Sequence, residues 1–84
     1  MGITFTKHAE LKFKDLEDQG FKITKKQVED VLNNPENIIV DERGNFIVQK
    51  AIDETHIIRV IYEKKGNVIK VITFYPARRQ RYES

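Results

Sequence analysis

The chain has 84 residues, of which 39% are hydrophobic and 33% are charged. This length and composition predict one soluble globular domain over residues 1–84, with a small core because short chains bury a smaller share of their surface. The sequence contains no cysteine, which excludes disulfides and thiolate metal sites and is consistent with a cytoplasmic location. No apolar run approaches the roughly 18 residues of a membrane-spanning helix, and the N-terminus lacks the apolar core of a secretion signal.

The charge of the chain is unevenly distributed, although its net value is only +2. From Arg59 to Ser84 there are seven Lys or Arg residues against two Glu residues, a local balance of +5. Residues 1–58 therefore sum to −3. A basic C-terminal region on an acidic body indicates an anionic partner.

The N-terminal part of the chain predicts a short strand and a first helix. Apolar and polar residues alternate in GITFT, residues 2–6, which is typical of a strand. Apolar residues then recur at helical spacing from Lys7 to Gln19. We expect Thr6 to cap this helix and Gly20 to end it in a left-handed conformation.

A second helix follows, with a more distinctive beginning. Thr24 and Gln27 have the spacing of a capping box, and Ile23 and Val28 have that of a hydrophobic staple. Pro35 then limits the helix at its C-terminal end.

The remainder predicts three or four strands in a meander. NFIVQKAI, HIIRVIYEK and VIKVITFY are rich in β-branched and aromatic residues, whereas NIIVD is either a strand or an extended lead-in. The Gly-Asn pair at 66–67 predicts a two-residue hairpin turn, which places Glu63 opposite Lys70 and Arg59 opposite Phe74. The predicted fold class is α+β: a short N-terminal strand, two helices, then a three- to four-stranded antiparallel meander with the helices packed on one face.

Strict alternation along the last two strands divides their side chains between two faces. The first face is predicted to carry Ile58, Val60, Tyr62, Ile69, Val71, Thr73 and Tyr75. The second face is predicted to carry Ile57, Arg59, Ile61, Lys70, Ile72 and Phe74. Both faces are partly apolar, so the pattern leaves open which one meets the helices.

Arginines in and after these strands are the first candidates for chemistry. Arg59 is either an edge or snorkelling arginine paired with a carboxylate, or a phosphate clamp. Arg78, Arg79 and Arg81 with Tyr82 form either a solvated basic tail or a phosphate-binding strip. In the second interpretation the tyrosine stacks on a base or transfers a proton.

Two histidines are the candidates for proton transfer. His8, in the first turn of the first helix, is either a surface residue or a general acid or base, with Lys12 one turn further on the same side. His56 begins a strand and is interpreted as a residue at the edge of a loop. The spacing of the two histidines makes a metal site unexpected, and no glycine-rich phosphate loop or nucleophile elbow is present.

Convergence of these groups would suit RNA cleavage without a metal or any other cofactor. A base would take the proton of a ribose 2′-hydroxyl, whose oxygen would attack the adjacent phosphate. Arginines would stabilise the added negative charge, and an acid would protonate the leaving oxygen.

The segment IIRVIYEKKGNVIKVITFYPARRQRY resembles the C-terminal half of RelE/ParE-like toxins. The segment FTKHAELKFKDLEDQGFKITKKQVEDVLNNPENII resembles a branch of small proteins that open with His-Ala-x-x-Arg and close with Thr-x-Tyr-Pro. Both branches belong to the barnase–EndoU–colicin–RelE-like nucleases, and the resemblance runs from Phe5 to Tyr82. Lys12 stands where this branch usually has arginine. Lysine keeps the positive charge but lacks the planar, forked guanidinium that can make two hydrogen bonds to one phosphate.

The resemblance implies a RelE-like fold and a set of site residues. The implied catalytic residues are His8, Arg59, Thr73, Tyr75, Arg81 and Tyr82, with Arg79 as the alternative to Arg81. Further candidates for contact with RNA phosphate are Lys12, Lys70, Arg78 and Arg79.

These observations lead to the hypothesis of a metal-independent endoribonuclease, the toxin of a toxin–antitoxin pair. Its expected partners are RNA, which includes ribosome-bound mRNA, and an antitoxin protein that covers the basic site. Two alternatives remain open: a non-catalytic RNA- or protein-binding module of the same fold, and a gyrase-inhibiting toxin like ParE, since fold does not fix activity.

Overall fold

The computed structural model describes residues 2–79, which form two helices and a five-stranded sheet. The elements are β1 (Gly2–Phe5), α1 (Lys7–Asp18), α2 (Lys25–Asn33), β2 (Asn37–Val40), β3 (Phe46–Ala51), β4 (His56–Lys65) and β5 (Val68–Arg78). The strand order is β1-β5-β4-β3-β2. The α+β class is confirmed, and NIIVD contributes the fourth strand of the meander, β2. In addition, β1 pairs in parallel with β5, which makes the sheet mixed.

Both helices begin at the predicted caps. The Thr6 hydroxyl accepts the Ala9 amide at 3.1 Å, and Thr24 and Gln27 form the reciprocal bonds of a capping box. Helix α1 ends one residue earlier than predicted, at Asp18, and Gly20 follows with φ 94°. Neither α1 nor α2 has the length and apolar character needed to cross a membrane.

Both helices pack on the same face of the sheet, and the core lies between them and the strands. Helix α1 covers β5 and β1, and α2 covers β3 and β4. The buried cluster consists of Ala9, Leu16, Ile23, Val28, Val31, Val48, Ile58, Val60, Ile69, Val71 and Phe74. We call the sheet face that these helices cover the helix face, and the opposite one the open face.

The predicted hairpin turn between β4 and β5 is confirmed, but the predicted register holds only from the turn to the pair of Tyr62 with Val71. Gly66 adopts φ 58° in the turn, and Glu63 lies opposite Lys70 as expected. A bulge then shifts the register between Ile61 and Tyr62, because Ile72 of β5 is an extra residue. Beyond the bulge, Arg59 lies opposite Tyr75 rather than Phe74.

The bulge also corrects the predicted faces. Phe74 lies on the helix face, where it is fully buried and its ring centre lies 4.5 Å from that of Phe13. Thr73 and Tyr75 consequently lie on the open face, the face of Arg59. The cause is tertiary: burial of the Phe74 ring against α1 outweighs regular pairing, and the Ile72 carbonyl accepts the Thr6 hydroxyl at 2.9 Å.

Candidate nucleic-acid site at the outer edge of β5

The second half of β5 lies at an edge of the sheet, although the first half does not. β1 covers only Val68 to Val71, and the Thr6 amide makes the last backbone hydrogen bond on this side, 3.0 Å to the Val71 carbonyl. Within the part of the chain that the structure describes, residues 72–78 have no strand partner on that side. We call residues 72–78 the β5 outer edge. The bond from Thr6 to the bulge holds the beginning of α1 beside it.

A cavity of about 460 Å³ lies between α1 and this edge. Its lining includes Lys12 from α1, Tyr75 and Arg78 from β5, and His56 from the first position of β4. Lys12, Tyr75 and Arg78 are all predicted site residues, and the structure brings them together although two of them are more than 60 positions from the third in sequence. His56 was not predicted to join them.

A second, smaller pocket of about 250 Å³ shares His56 and Arg78 with the first. Glu54, Thr55 and Arg79 complete its lining. Arg78 lies directly opposite His56 in the β4–β5 ladder, so the sheet sets the two residues side by side, and both line this pocket. This pocket therefore combines a titratable ring with two arginines.

The turn before β4 holds the His56 ring in a defined orientation. The Asp53 carboxylate accepts the backbone amides of Thr55 at 2.8 Å and His56 at 2.7 Å, and it lies 3.2 Å from His56 Nδ1. The Thr55 hydroxyl lies 2.8 Å from the same ring nitrogen. These bonds, led by that from the Thr55 amide, lower the pKa of Asp53 below its ordinary value. The Phe21 ring meets the imidazole edge-on, with 5.4 Å between ring centres.

This arrangement suits proton transfer by His56. A carboxylate at Nδ1 favours the tautomer that carries its proton there, which leaves the lone pair on Nε2. The ring is 29% exposed, so a ligand in the pocket has access to it.

The end of β5 is bonded to the same turn. The Arg79 amide donates to the Thr55 carbonyl at 2.9 Å, and its guanidinium lies 3.4 Å from the Asp53 carbonyl. The second arginine of the pocket is thereby fixed relative to His56 rather than carried on a loose tail.

Arg59 occupies a polar row across the open face. The ladders align Asn37, Gln49, Arg59 and Tyr75 on four successive strands, β2, β3, β4 and β5. Since β4 lies inside the sheet, Arg59 is not an edge-strand residue. The bulge gives it Tyr75 as a neighbour, and Tyr75 also lines the cavity with His56. Tyr75 thus connects the row to the β5 outer edge.

The other predicted site residues are distributed more widely. His8 is exposed in the first turn of α1, on the helix side of the sheet, whereas Arg59 belongs to the open face. Thr73 lies on the open face opposite Ile61. Lys70 lies beside Glu63 at 3.8 Å, eight residues from Arg78 along the strand, or about 26 Å at 3.3 Å per residue. Arg81 and Tyr82 lie outside the described residues.

His56 and Asp53 are the site residues that sequence reasoning missed. The pattern Asp-x-Thr-His carried a usable indication, since an aspartate often accepts the backbone amide two residues later in an Asx turn. The pairing of His56 with Arg78 was hidden, because it depends on the register shift at the bulge.

No group of three or more His, Cys, Asp or Glu side chains that could hold a metal ion occurs between residues 2 and 79. Comparison of the chain with models of protein families, with curated proteins and with solved structures finds no match. The resemblance to RelE/ParE-like toxins therefore stays a prediction.

Proposed function

We propose that the protein is a metal-independent endoribonuclease whose site is the β5 outer edge with the turn before β4. One observation carries the proposal: Asp53 holds the His56 imidazole at Nδ1, and Arg78 lies directly opposite His56 in the same pocket. Cleavage of a phosphodiester by an internal hydroxyl requires an oriented base and a nearby positive charge that stabilises the negative charge on the phosphate.

In the proposed reaction His56 Nε2 takes the proton from a ribose 2′-hydroxyl. The 2′-oxygen then forms a bond to the adjacent phosphorus while the bond from phosphorus to the 5′-oxygen breaks. The products are a 2′,3′-cyclic phosphate and a 5′-hydroxyl end. The guanidinium of Arg78 stabilises the negative charge that accumulates on the phosphate oxygens.

The leaving 5′-oxygen needs a proton, and two groups of the cavity can donate one. The Lys12 ammonium and the Tyr75 phenol both line the cavity that contains His56. Tyr75 has an additional role in the proposal, because its ring can stack on a base next to the cleaved bond. Asp53 is a positioning residue, since it acts through His56.

The biological role that fits this proposal is that of a toxin with an antitoxin partner. The basic groups around the β5 outer edge support it: Arg78 and Arg79 line the smaller pocket and Lys12 lines the larger cavity, and Arg59 lies opposite Tyr75 on the open face. An antitoxin would neutralise this surface with acidic residues and block access to His56.

The test is cleavage of end-labelled RNA by the purified protein in EDTA, with and without translating ribosomes. We expect His56→Ala to reduce the cleavage rate about 100-fold or more, because it removes the base. Asp53→Asn keeps an oxygen acceptor for the turn and loses the charge, so we expect a smaller loss with an altered pH profile. Lys64→Ala, an exposed lysine at the far end of β4, is the matched control.

Three outcomes would contradict the proposal. Salt-dependent RNA retention without products would identify a binding module. Accumulation of DNA cleavage complexes with gyrase, without RNA scission, would identify a gyrase poison. Loss of cleavage in His8→Ala with full activity in His56→Ala would place the catalytic base on α1.

A further inference from the structure

The second notable surface is β2, at the end of the sheet opposite the β5 outer edge. Among the described residues, the large hydrophobic side chains that are exposed include three in succession on this strand: Ile38 at 56%, Ile39 at 44% and Val40 at 58%. An exposed apolar edge strand is a template for pairing with another chain. We call residues 37–40 the β2 edge.

The backbone of the β2 edge is arranged to accept a further strand. The Asp41 amide donates inward to the Asn45 carbonyl at 2.9 Å. Inward and outward groups alternate along an antiparallel strand, so Ile38 and Val40 turn their N–H and C=O groups away from β3. An extended segment beside β2 would bond to these two residues.

The side chains of the β2 edge continue the rows of the core. Ile38 lies beside the buried Val48, and Val40 lies beside Phe46, whose ring stacks on Tyr62 with 5.1 Å between centres. Helix α2 covers β3 and β4, and the rows run on past it to β2. A strand with apolar residues at alternate positions would extend the same rows and bury Ile38 and Val40.

The charges around the β2 edge select the occupant. Residues 29–45 contain five acidic residues and one arginine, and Lys50 of β3 forms an ion pair with Asp30 at 2.7 Å, which leaves a local balance of −3. Glu36 precedes the strand, and Asp41 and Glu42 follow it. A second copy of the chain, paired about a two-fold axis at Ile39, would set Glu36 opposite Glu42 at both ends, which is unfavourable. Basic residues at both ends of the incoming strand would instead be attracted.

We propose that the β2 edge binds an extended segment of another protein, with apolar residues at alternate positions and basic residues on both sides, as a sixth strand of the sheet. Hydrogen bonds between the two backbones would provide affinity, and the apolar rows and the acidic flanking residues would provide specificity. Strand β3 separates β2 from β4, the strand of His56, and the incoming strand would bond to the side of β2 that faces away from β3, so its binding leaves the proposed nuclease site accessible.

The test uses a synthetic peptide, Lys-Arg-Val-Thr-Ile-Thr-Val-Arg-Lys, titrated into the labelled protein and followed by amide NMR. We expect the perturbed amides to centre on residues 37–40 and those of Ile38 and Val40 to gain protection from exchange. Val40→Pro removes an outward N–H and should weaken binding at least about tenfold. Glu36→Gln with Glu42→Gln removes two charges and keeps the Glu36 oxygen that accepts the Ala51 amide; it should weaken binding as well.

The matched control is Asp15→Asn with Glu17→Gln, which removes two exposed charges from α1 and should bind normally. A peptide with Glu and Asp in place of the basic flanks should bind at least about tenfold more weakly, and one with a central proline should not pair. Equal binding of the acidic peptide, perturbation centred elsewhere, or no binding by protein shown to be folded would overturn the proposal. Dimers formed through protected residues 37–40 without peptide would overturn it in favour of a second copy. RNA cleavage is measured alongside, because its result is independent of this test.

Discussion

At the scale of single residues, Asp53 has the largest influence on the candidate site. One carboxylate accepts two backbone amides of the turn and orients the ring of His56. The turn and the proposed base therefore depend on the same negative charge, and protonation of Asp53 would weaken both.

We predict that acid opens this turn before it unfolds the sheet. The folded-state pKa of Asp53 is lowered from an ordinary value of 3.8, so the stability that its carboxylate contributes is present above that value. This contribution is lost as the pH falls from 3.8 through the lower folded-state pKa. Carboxyl-carbon NMR titration of the native protein and of the urea-unfolded protein measures the two pKa values.

Asp53→Asn should abolish this local transition, because its amide does not titrate. Equal pKa values in the native and unfolded states would contradict the role given to the turn.

At the scale of elements, the bulge at Ile72 decides which side chains meet. It sends Phe74 into the core and turns Tyr75 towards Arg59. Bulges re-aim side chains at the cost of one irregular pair, and here the irregular carbonyl accepts the Thr6 hydroxyl. The same hydroxyl caps α1, so one threonine joins the helix to the bulge.

We predict that Thr6→Val lowers the free energy of unfolding by about 1–2 kcal/mol, because both the cap and the bond to the bulge are lost. Urea unfolding monitored by circular dichroism measures the change. Thr6→Ser retains a hydroxyl that can make both bonds, and it should recover most of the stability. If valine and serine variants were equally stable, the hydroxyl would have no part in holding the bulge.

The elements also show which parts of the fold and of the candidate site could be predicted from the sequence. Caps, the Gly66 turn and β-branched strands are local features, and they correctly predicted both helices, the hairpin and the fold class. The bulge has no local marker, since Ile72 is an ordinary strand residue without a neighbouring Gly or Pro. Only contact with α1 fixes it. For this reason Tyr75 was assigned to the wrong face, and His56 was separated from Arg78.

At the scale of the whole molecule, the main features are a small core and two sheet edges that differ in charge. The core is one layer between two short helices and the sheet, and Phe74 is its largest fully buried side chain. In the strand order, the acidic groups around the β2 edge lie two strands from His56 on β4 and three strands from Arg78 on β5. The two proposed partners would therefore not compete for one surface.

We predict that Phe74→Ala lowers the free energy of unfolding by about 3–5 kcal/mol, the range for truncating a buried phenylalanine. The total free energy of unfolding of a native domain is only about 5–15 kcal/mol. This variant should therefore be at best marginally stable near physiological temperature. Thermal unfolding followed by circular dichroism measures it. Phe46→Ala, at the partly exposed margin of the sheet, should cost clearly less. Similar losses in both variants would show that the core is not centred on Phe74.

The parallel pairing of β1 with β5 has a consequence for synthesis of the protein on the ribosome. Gly2 pairs with Val68, so β1 has no partner strand until β5 has been synthesised, more than 60 residues later. Contacts this distant in sequence slow folding, and the sheet cannot close while β5 is still inside the exit tunnel. Tyr75 and Arg78 reach His56 only when β5 docks. A nascent chain would therefore lack the assembled candidate site, and the proposed activity would require that β5 had first left the ribosome that made it.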